Sequence, residues 1–180
     1  MTGMPDSGGA LVRCHQRGYV THEIEEITVV HVSRSFTVDR PLPQVVGYLA
    51  DFGHAVVWDP GTESCKRTTG SGTPSVGDQW HNVSQFRGRR TELDYRLDRL
   101  EERRVTFTGT NRTAESTDDF IFEDLGGSTR VTYEATIRFK GLARLADPFL
   151  RGEFERLGDE ITQTLPAAVH NAISTRPPTA

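Results

Sequence analysis

From Asp78 to Lys140 the chain alternates apolar and polar residues almost without a break, and few architectures accept so long a run of that period. Successive side chains of a strand point to opposite faces, so a one-residue slip in pairing would carry every apolar side chain to the wrong side. The turns therefore test the pattern. Leu125-Gly126-Gly127-Ser128 reads as a two-residue hairpin loop, which glycine pairs favour. It sets Phe122 opposite Val131, Phe120 opposite Tyr133, Asp118 opposite Ala135 and Ser116 opposite Ile137. A tight turn at Arg112-Thr113 sets Gly109 opposite Ser116 and Phe107 opposite Asp118. A turn around Gly88-Arg89 sets Phe86 opposite Thr91, Ser84 opposite Leu93, Asn82 opposite Tyr95 and Trp80 opposite Leu97. All apolar sets then share one face, provided that the turn between Leu100 and Arg104 has an odd length. The prediction is a meander of antiparallel strands with a single apolar face.

Other periods flank the meander. Val30, Val32, Phe36 and Val38 predict a strand over Val29 to Asp39, with Arg34 on its apolar face. Val45, Val46, Leu49 and Ala50 predict a short helix behind Arg40-Pro41-Leu42-Pro43, where proline fits the first turn. Asp51 to Pro60 predicts a second short helix, stopped by Asp59-Pro60-Gly61. Near the other end Leu150, Phe154, Leu157, Ile161 and Leu165 follow steps of four and three. They predict a long amphipathic helix from about Asp147, its N-cap, through Pro148 to at least Leu165. Pro166 lacks an amide donor and predicts a kink or an end, because a straight continuation costs ~3 kcal/mol. Residues 1–28 show no sustained period and read as a loose arm, and residues 175–180 as a frayed tail. One domain over 29–174 remains, a usual size for a single core.

Charge and composition exclude several functions. A net charge of −4 with scattered arginines offers no field for nucleic acid or anionic lipid, so no nucleic-acid partner is expected. Arg87, Arg89 and Arg90 around Gly88 read as a solvated hairpin tip. The stretch Gly70 to Gly77 has the composition of a phosphate loop but neither its lysine nor its spacing. No apolar run is long enough for a membrane span, so no integral membrane association is expected. Cys14 and Cys65 cannot build a disulfide framework, and a reducing cytoplasmic setting is the expectation. The 6 histidines lack metal-ligand spacing, and His31 and His81 fall on the outward face. No metal and no cofactor are expected, and no G-x-S-x-G elbow marks a hydrolase. The chain is expected to be a monomer or homodimer.

The inward face carries the functional argument. Its middle rows hold small residues, Gly109, Ala114, Ser116 and Ala135, flanked by Trp80, Phe86, Tyr95, Phe107, Phe120, Tyr133 and Phe139. A helix lying over such a face through Phe154, Leu157 and Ile161 either leaves a cavity of ~300–1,000 Å³ or drops Phe154 into the gap. Arg34, Asn82, Ser84, Asn111, Ser116 and Asp118 supply polar groups, which need partners when buried. Asp118 between Phe107 and Phe120 has two readings. Desolvation raises its pKa and suits it to acid–base catalysis, or it caps the sheet edge in water or pairs with Arg34.

The order of elements, a strand, two short helices, a meander and one long helix, resembles the polyketide cyclase/dehydrase and lipid-transport family of the START-like (SRPBCC) superfamily. Val38-Asp39-Arg40-Pro41, Val45, Leu49, Asp51, Trp58-Asp59-Pro60, Val76-Gly77 and Gly127-Ser128-Thr129-Arg130-Val131 carry the resemblance, over roughly Val29 to Ala172. It implies an α+β helix-grip fold: a curved antiparallel sheet of about seven strands wrapped around a long C-terminal helix, with two short helices after the first strand. The superfamily includes aromatase/cyclases, lipid carriers, hormone receptors and stress proteins. The expected partner is a hydrophobic or aromatic small molecule of polyketide or lipid type, with cyclase or dehydrase chemistry as one reading. A non-catalytic carrier and an interaction domain with a filled core are the others. An NTF2-like cone would bring its main helices first, and a closed barrel needs no central helix.

Overall fold

A computed structural model describes residues 28–86, 88–140 and 150–174. Strand β1 (Thr28–Val38) leads through α1 (Leu42–Leu49), a 3-10 turn (Phe52–His54) and α2 (Ala55–Trp58) to β2 (Thr62–Arg67), β3 (Gln79–Phe86) and β4 (Arg89–Glu101). Then follow β5 (Arg104–Thr110), β6 (Ala114–Asp124), β7 (Thr129–Phe139) and α3 (Leu150–Ser174). The seven strands form one antiparallel sheet in the order β1-β7-β6-β5-β4-β3-β2. Only β1 and β2 are far apart in the sheet while adjacent in sequence, and the helical connection spans the gap between them. The expectations about the arm up to residue 27, Asp147, Pro148 and the tail fall outside the described residues; Thr28 already belongs to β1.

The glycine-pair hairpin sets the β6–β7 register as expected: Phe122, Phe120, Asp118 and Ser116 oppose Val131, Tyr133, Ala135 and Ile137. Gly126 and Gly127 both take positive φ, 77° and 126°, the left-handed region that such a loop demands of its residues. Gly109 likewise opposes Ser116, and Phe107 opposes Asp118.

Two joints differ from expectation. Strand β3 is shifted by two residues on β4: Phe86 opposes Arg89, Ser84 opposes Thr91, Asn82 opposes Leu93 and Trp80 opposes Tyr95. The loop closes one position earlier than a turn centred on Gly88-Arg89, with Gly88 at φ 73° inside it. A slip of two preserves the face, so alternation alone does not detect it. The β4–β5 turn has an even length, because Glu101 opposes Arg104. The missing odd residue is Asp98, an irregularity between Leu97, opposite Phe107, and Arg99, opposite Thr106. Such a bulge puts two residues against one. Without it Leu97 would oppose Thr108 and leave the core.

Helix α3 continues through Pro166 to Ser174, so the expected end at that residue is absent. Its buried face, Gly158, Ile161, Leu165, Ala168 and Val169, extends well past the proline, and packing of this stripe offsets the lost amide donor. Phe52 and Trp58 from the helical connection drop onto the sheet. Phe52 packs on Tyr95 and Phe107 with ring centroids 4.1 and 4.7 Å apart, and Trp58 sets its edge on Phe120 at 5.7 Å. One end of the inner face is therefore solid. Among the described residues the other end is covered by the N-terminal half of α3.

The Gly70–Gly77 loop is held by Arg67, which donates to the carbonyls of Thr69 (3.1 Å) and Gly72 (2.7 Å) and pairs with Asp78. That cation serves the loop's own backbone.

Candidate ligand cavity

Two features lift α3 clear of the sheet at its hollow end while keeping it close along one edge. Gly158 has no Cβ, and one built there would stand 2.6 Å from Val32 Cγ1, so β1 approaches the helix only because this residue is glycine. Farther in, Ala114, Ser116 and Ala135 are too short to reach the helix. The result is a cavity of about 180 Å³, smaller than the usual ligand range of ~300–1,000 Å³. Phe154 accounts for part of the difference: it neither fills the floor nor points away, but stacks on Phe86 at 4.6 Å along the rim.

The cavity grades from apolar to polar. Phe86, Phe139 and Phe154, all half-buried, line its outer part, Leu93, Ile137 and Leu157 its wall. Tyr95, Ser116, Asp118 and Tyr133, each buried, line its inner end beside Asp59, Ala135 and Ile161. Val32, Gly61, Ser84, Gln85, Thr91 and Gly158 complete the lining.

Asp118 is the centre of the polar end. Tyr133 donates its hydroxyl to Oδ1 at 2.5 Å, and Ser116 donates to Oδ2 at 3.1 Å. Burial pushes its pKa up to about 6; the Tyr133 and Ser116 hydroxyls pull it back, and the nearby charge of Asp59 adds to the rise. The hydroxyls of Tyr95 and Tyr133 are pushed well above their ordinary range, by burial first and by the Asp118 charge second. Asp59 ends α2, accepting from the Gly61 amide at 3.0 Å through Oδ1 and from the Thr62 hydroxyl at 2.6 Å through Oδ2. Burial also pushes its carboxyl up, against the pull of those two donors. Thr62 Oγ1 accepts from Asn82 Nδ2 (3.0 Å), and Asn82 Oδ1 accepts from Ser84 (2.6 Å), so a chain of side chains links Asp59 to the cavity wall at Ser84.

Of the residues singled out by alternation, Ser84, Phe86, Tyr95, Ala114, Ser116, Asp118, Tyr133, Ala135 and Phe139 line the cavity, with Phe154, Leu157 and Ile161 above them. The others lie elsewhere. Arg34 reaches out to α3, where Nε donates to Asp159 at 2.7 Å and Nη2 to Glu155 at 2.6 Å, so it does not pair with Asp118. Nor does Asp118 cap a wet sheet edge, being only 5% exposed. Trp80 donates to Asp51 at 2.9 Å and packs its ring against Phe107; Phe107 and Phe120 belong to the solid end. Asn82 stands one side chain back from the wall. Asn111 holds the β5–β6 turn, donating to the Glu92 carbonyl at 2.9 Å and accepting from the Thr113 and Ala114 amides. Gly109 provides no free volume: a Cβ there would stand 2.6 Å from Tyr95 Cζ, so the tyrosine ring occupies the space that glycine leaves.

Asp59 escaped the sequence reading although Trp58-Asp59-Pro60 was in view. Its backbone role as a helix stop concealed a side chain that also serves the cavity. Among the described residues no group of three or more His, Cys, Asp or Glu is placed to hold a metal, and no helix is long and apolar enough to cross a membrane.

A seven-stranded antiparallel sheet closed by a long C-terminal helix, with short helices between its two edge strands, defines the helix-grip fold of START-like proteins. The sequence from 29 to 169 matches the family described as polyketide cyclase/dehydrase and lipid transport, and the chain belongs to that family. No curated protein matches it in sequence. Among solved structures it is similar to a START superfamily protein from Mycobacterium smegmatis, at 16% identity and a TM-score of 0.65 over 79% of this chain and 98% of that one. It is also similar to the Zhui aromatase/cyclase from Streptomyces sp. R1128, at 16% identity and a TM-score of 0.61 over 83% of this chain and 96% of that one. A ginseng major latex-like protein from Panax ginseng aligns at 13% identity and a TM-score of 0.57, over 77% and 96%. At these identities the likeness is one of fold.

Proposed function

We propose that the protein binds a small hydrophobic or aromatic molecule in this cavity, oriented by Tyr95, Ser116, Asp118 and Tyr133 at its inner end. The observation that carries the reading is the grading of the cavity, apolar at the rim and polar where it is most buried. Apolar burial supplies affinity at roughly 25 cal/mol per Å², and a few fixed polar groups supply orientation. Membership of a family that includes lipid transport supports the same reading. Indole, a neutral ring of suitable size, tests it by calorimetric titration. Wild-type protein is expected to bind indole, and Ala135→Phe to weaken binding at least tenfold while the folded state persists in urea unfolding. Equal binding to the variant would place the site outside this cavity, and failure of the wild type to bind indole or any other small aromatic probe would favour a filled core.

A second reading adds catalysis, because Asp118 and two tyrosine hydroxyls meet at the closed end. On an enolisable ketone the Asp118 carboxylate would take the proton from the α-carbon while a tyrosine hydroxyl donates to the developing enolate oxygen. Return of a proton from solvent would complete an exchange with no net reaction. Deuterium uptake by the methyl group of acetophenone is expected to exceed the buffer rate with wild-type protein and to fall to it with Asp118→Asn. Uptake at the buffer rate in both would remove catalysis and leave binding untouched.

A further inference from the structure

The inner end of the cavity is one-sided in charge. Asp59 and Asp118 both line it, and among the described residues its lining contains no Lys, Arg or His. Neither carboxylate takes part in an ion pair recorded among the described residues. Three partly buried or strand-borne arginines are committed to other acids: Arg34 to Glu155 and Asp159, Arg67 to Asp78 and Arg104 to Asp119. Among the described residues the hydrogen-bond donors to both acids are neutral, the hydroxyls of Tyr133 and Ser116 for Asp118, the Thr62 hydroxyl and Gly61 amide for Asp59.

The buried Asp118, held by neutral donors, retains much of its desolvation cost, and the half-buried Asp59 in the same cavity adds repulsion. A third negative charge would be opposed. A positive charge would relieve both acids at once, and an ammonium brings three donors and no acceptor to groups that only accept. We infer that the ligand is a hydrophobic amine, its ring or alkyl body against Phe86, Leu93, Phe139 and Phe154 and its ammonium group at the Asp59–Asp118 end. The inference rests on the binding reading above and narrows its ligand class.

Ionisation of the acids governs the interaction. Asp118 faces Asp59 from α2, Ser116 from its own strand, Tyr95 from β4 and Tyr133 from β7, and α3 brings no charged group to the lining. With its pKa near 6, Asp118 is charged at pH 7.5 and largely neutral at pH 5, while an alkyl ammonium stays charged at both.

Phenethylamine, phenethyl alcohol and hydrocinnamate share one ring and differ in charge, and calorimetric titration of wild-type protein with the three is the test. At pH 7.5 the amine is expected to bind at least tenfold more tightly than the alcohol, and the acid more weakly than either. The amine's advantage is expected to shrink about tenfold at pH 5. Asp118→Asn should remove the advantage together with its pH dependence, and Asp59→Asn should reduce it, so that either variant serves if the other fails to fold. An amine that binds no better than the alcohol, or an acid that binds best, overturns the inference and leaves the binding reading standing. If all three and indole fail to bind, the binding reading falls and takes the inference with it.

Discussion

Tyr133→Phe is expected to cost about 2 kcal/mol of stability at pH 8 and well under half of that at pH 4, measured by urea unfolding at each pH. The hydroxyl donates to Asp118 at 2.5 Å, and a hydrogen bond to a charged group is worth ~1.5–3 kcal/mol, more than one between neutral groups. The sign follows from linkage. Asp118 has a folded-state pKa of about 6, above the unfolded value of ~3.9, so between these values the folded protein holds a proton that the unfolded chain has lost. Stability from this group therefore falls as pH rises through that window, by about 3 kcal/mol at ~1.4 kcal/mol per pH unit, and the penalty is complete above pH 6. Below pH 4 it is absent. The Tyr133 bond restrains this rise, so its removal pushes the window upward and deepens the loss at high pH. Asp118→Asn should flatten the step between pH 4 and 6. An unchanged step in that variant would assign the pH dependence to other carboxyls.

Gly109→Leu is expected to destabilise the protein by about 3 kcal/mol, the upper part of the range for overpacking a core. The residue is buried in β5, opposite Tyr95 on one side and Ser116 on the other. Even a lone Cβ would meet three atoms of the Tyr95 ring at 2.6 to 2.8 Å. The same substitution in Tyr95→Ala protein should cost much less, because the ring that it strikes is gone. Coupling of that kind is what distinguishes two residues competing for one space from two independent defects. Additive losses in the urea series would show that Gly109 is constrained by something other than Tyr95.

How much of this was legible follows from what each signal constrains. The Gly126-Gly127 loop admits few backbone conformations, so it fixed the partners of β6 and β7 and brought Asp118 beside Ala135. Alternation fixed the face of β3 and β4 but not their register, since a shift of two keeps every side chain on its side. Asp98 had no mark in the pattern beyond the three-residue step from Leu97 to Leu100, which reads equally as a loose turn. Strand β2 has no strict period, with Ser64 and Cys65 both half-buried, because it lies at the sheet edge beneath the helical connection.

The cavity itself was legible only as a row of small residues. Smallness at Ala135 does leave space, whereas smallness at Gly109 accommodates a neighbour's ring, and no one-dimensional pattern separates the two. Arg34 illustrates the same limit. Its inward position in β1 was correct in parity, but the carboxylates that capture it lie 121 and 125 residues further along, on a helix whose rotation alternation does not encode.

The division of the sheet into a solid and a hollow end bears on how such a protein can change over generations. Phe52, Trp58, Trp80, Phe107 and Phe120 hold one end together, and substitutions there cost folding. Leu93, Ala114, Ile137 and Leu157 face open volume at the other end, where a change of size or shape meets little resistance. Ligand preference can thus drift residue by residue while the scaffold stays under constraint, which leaves a single fold free to diversify in what it binds.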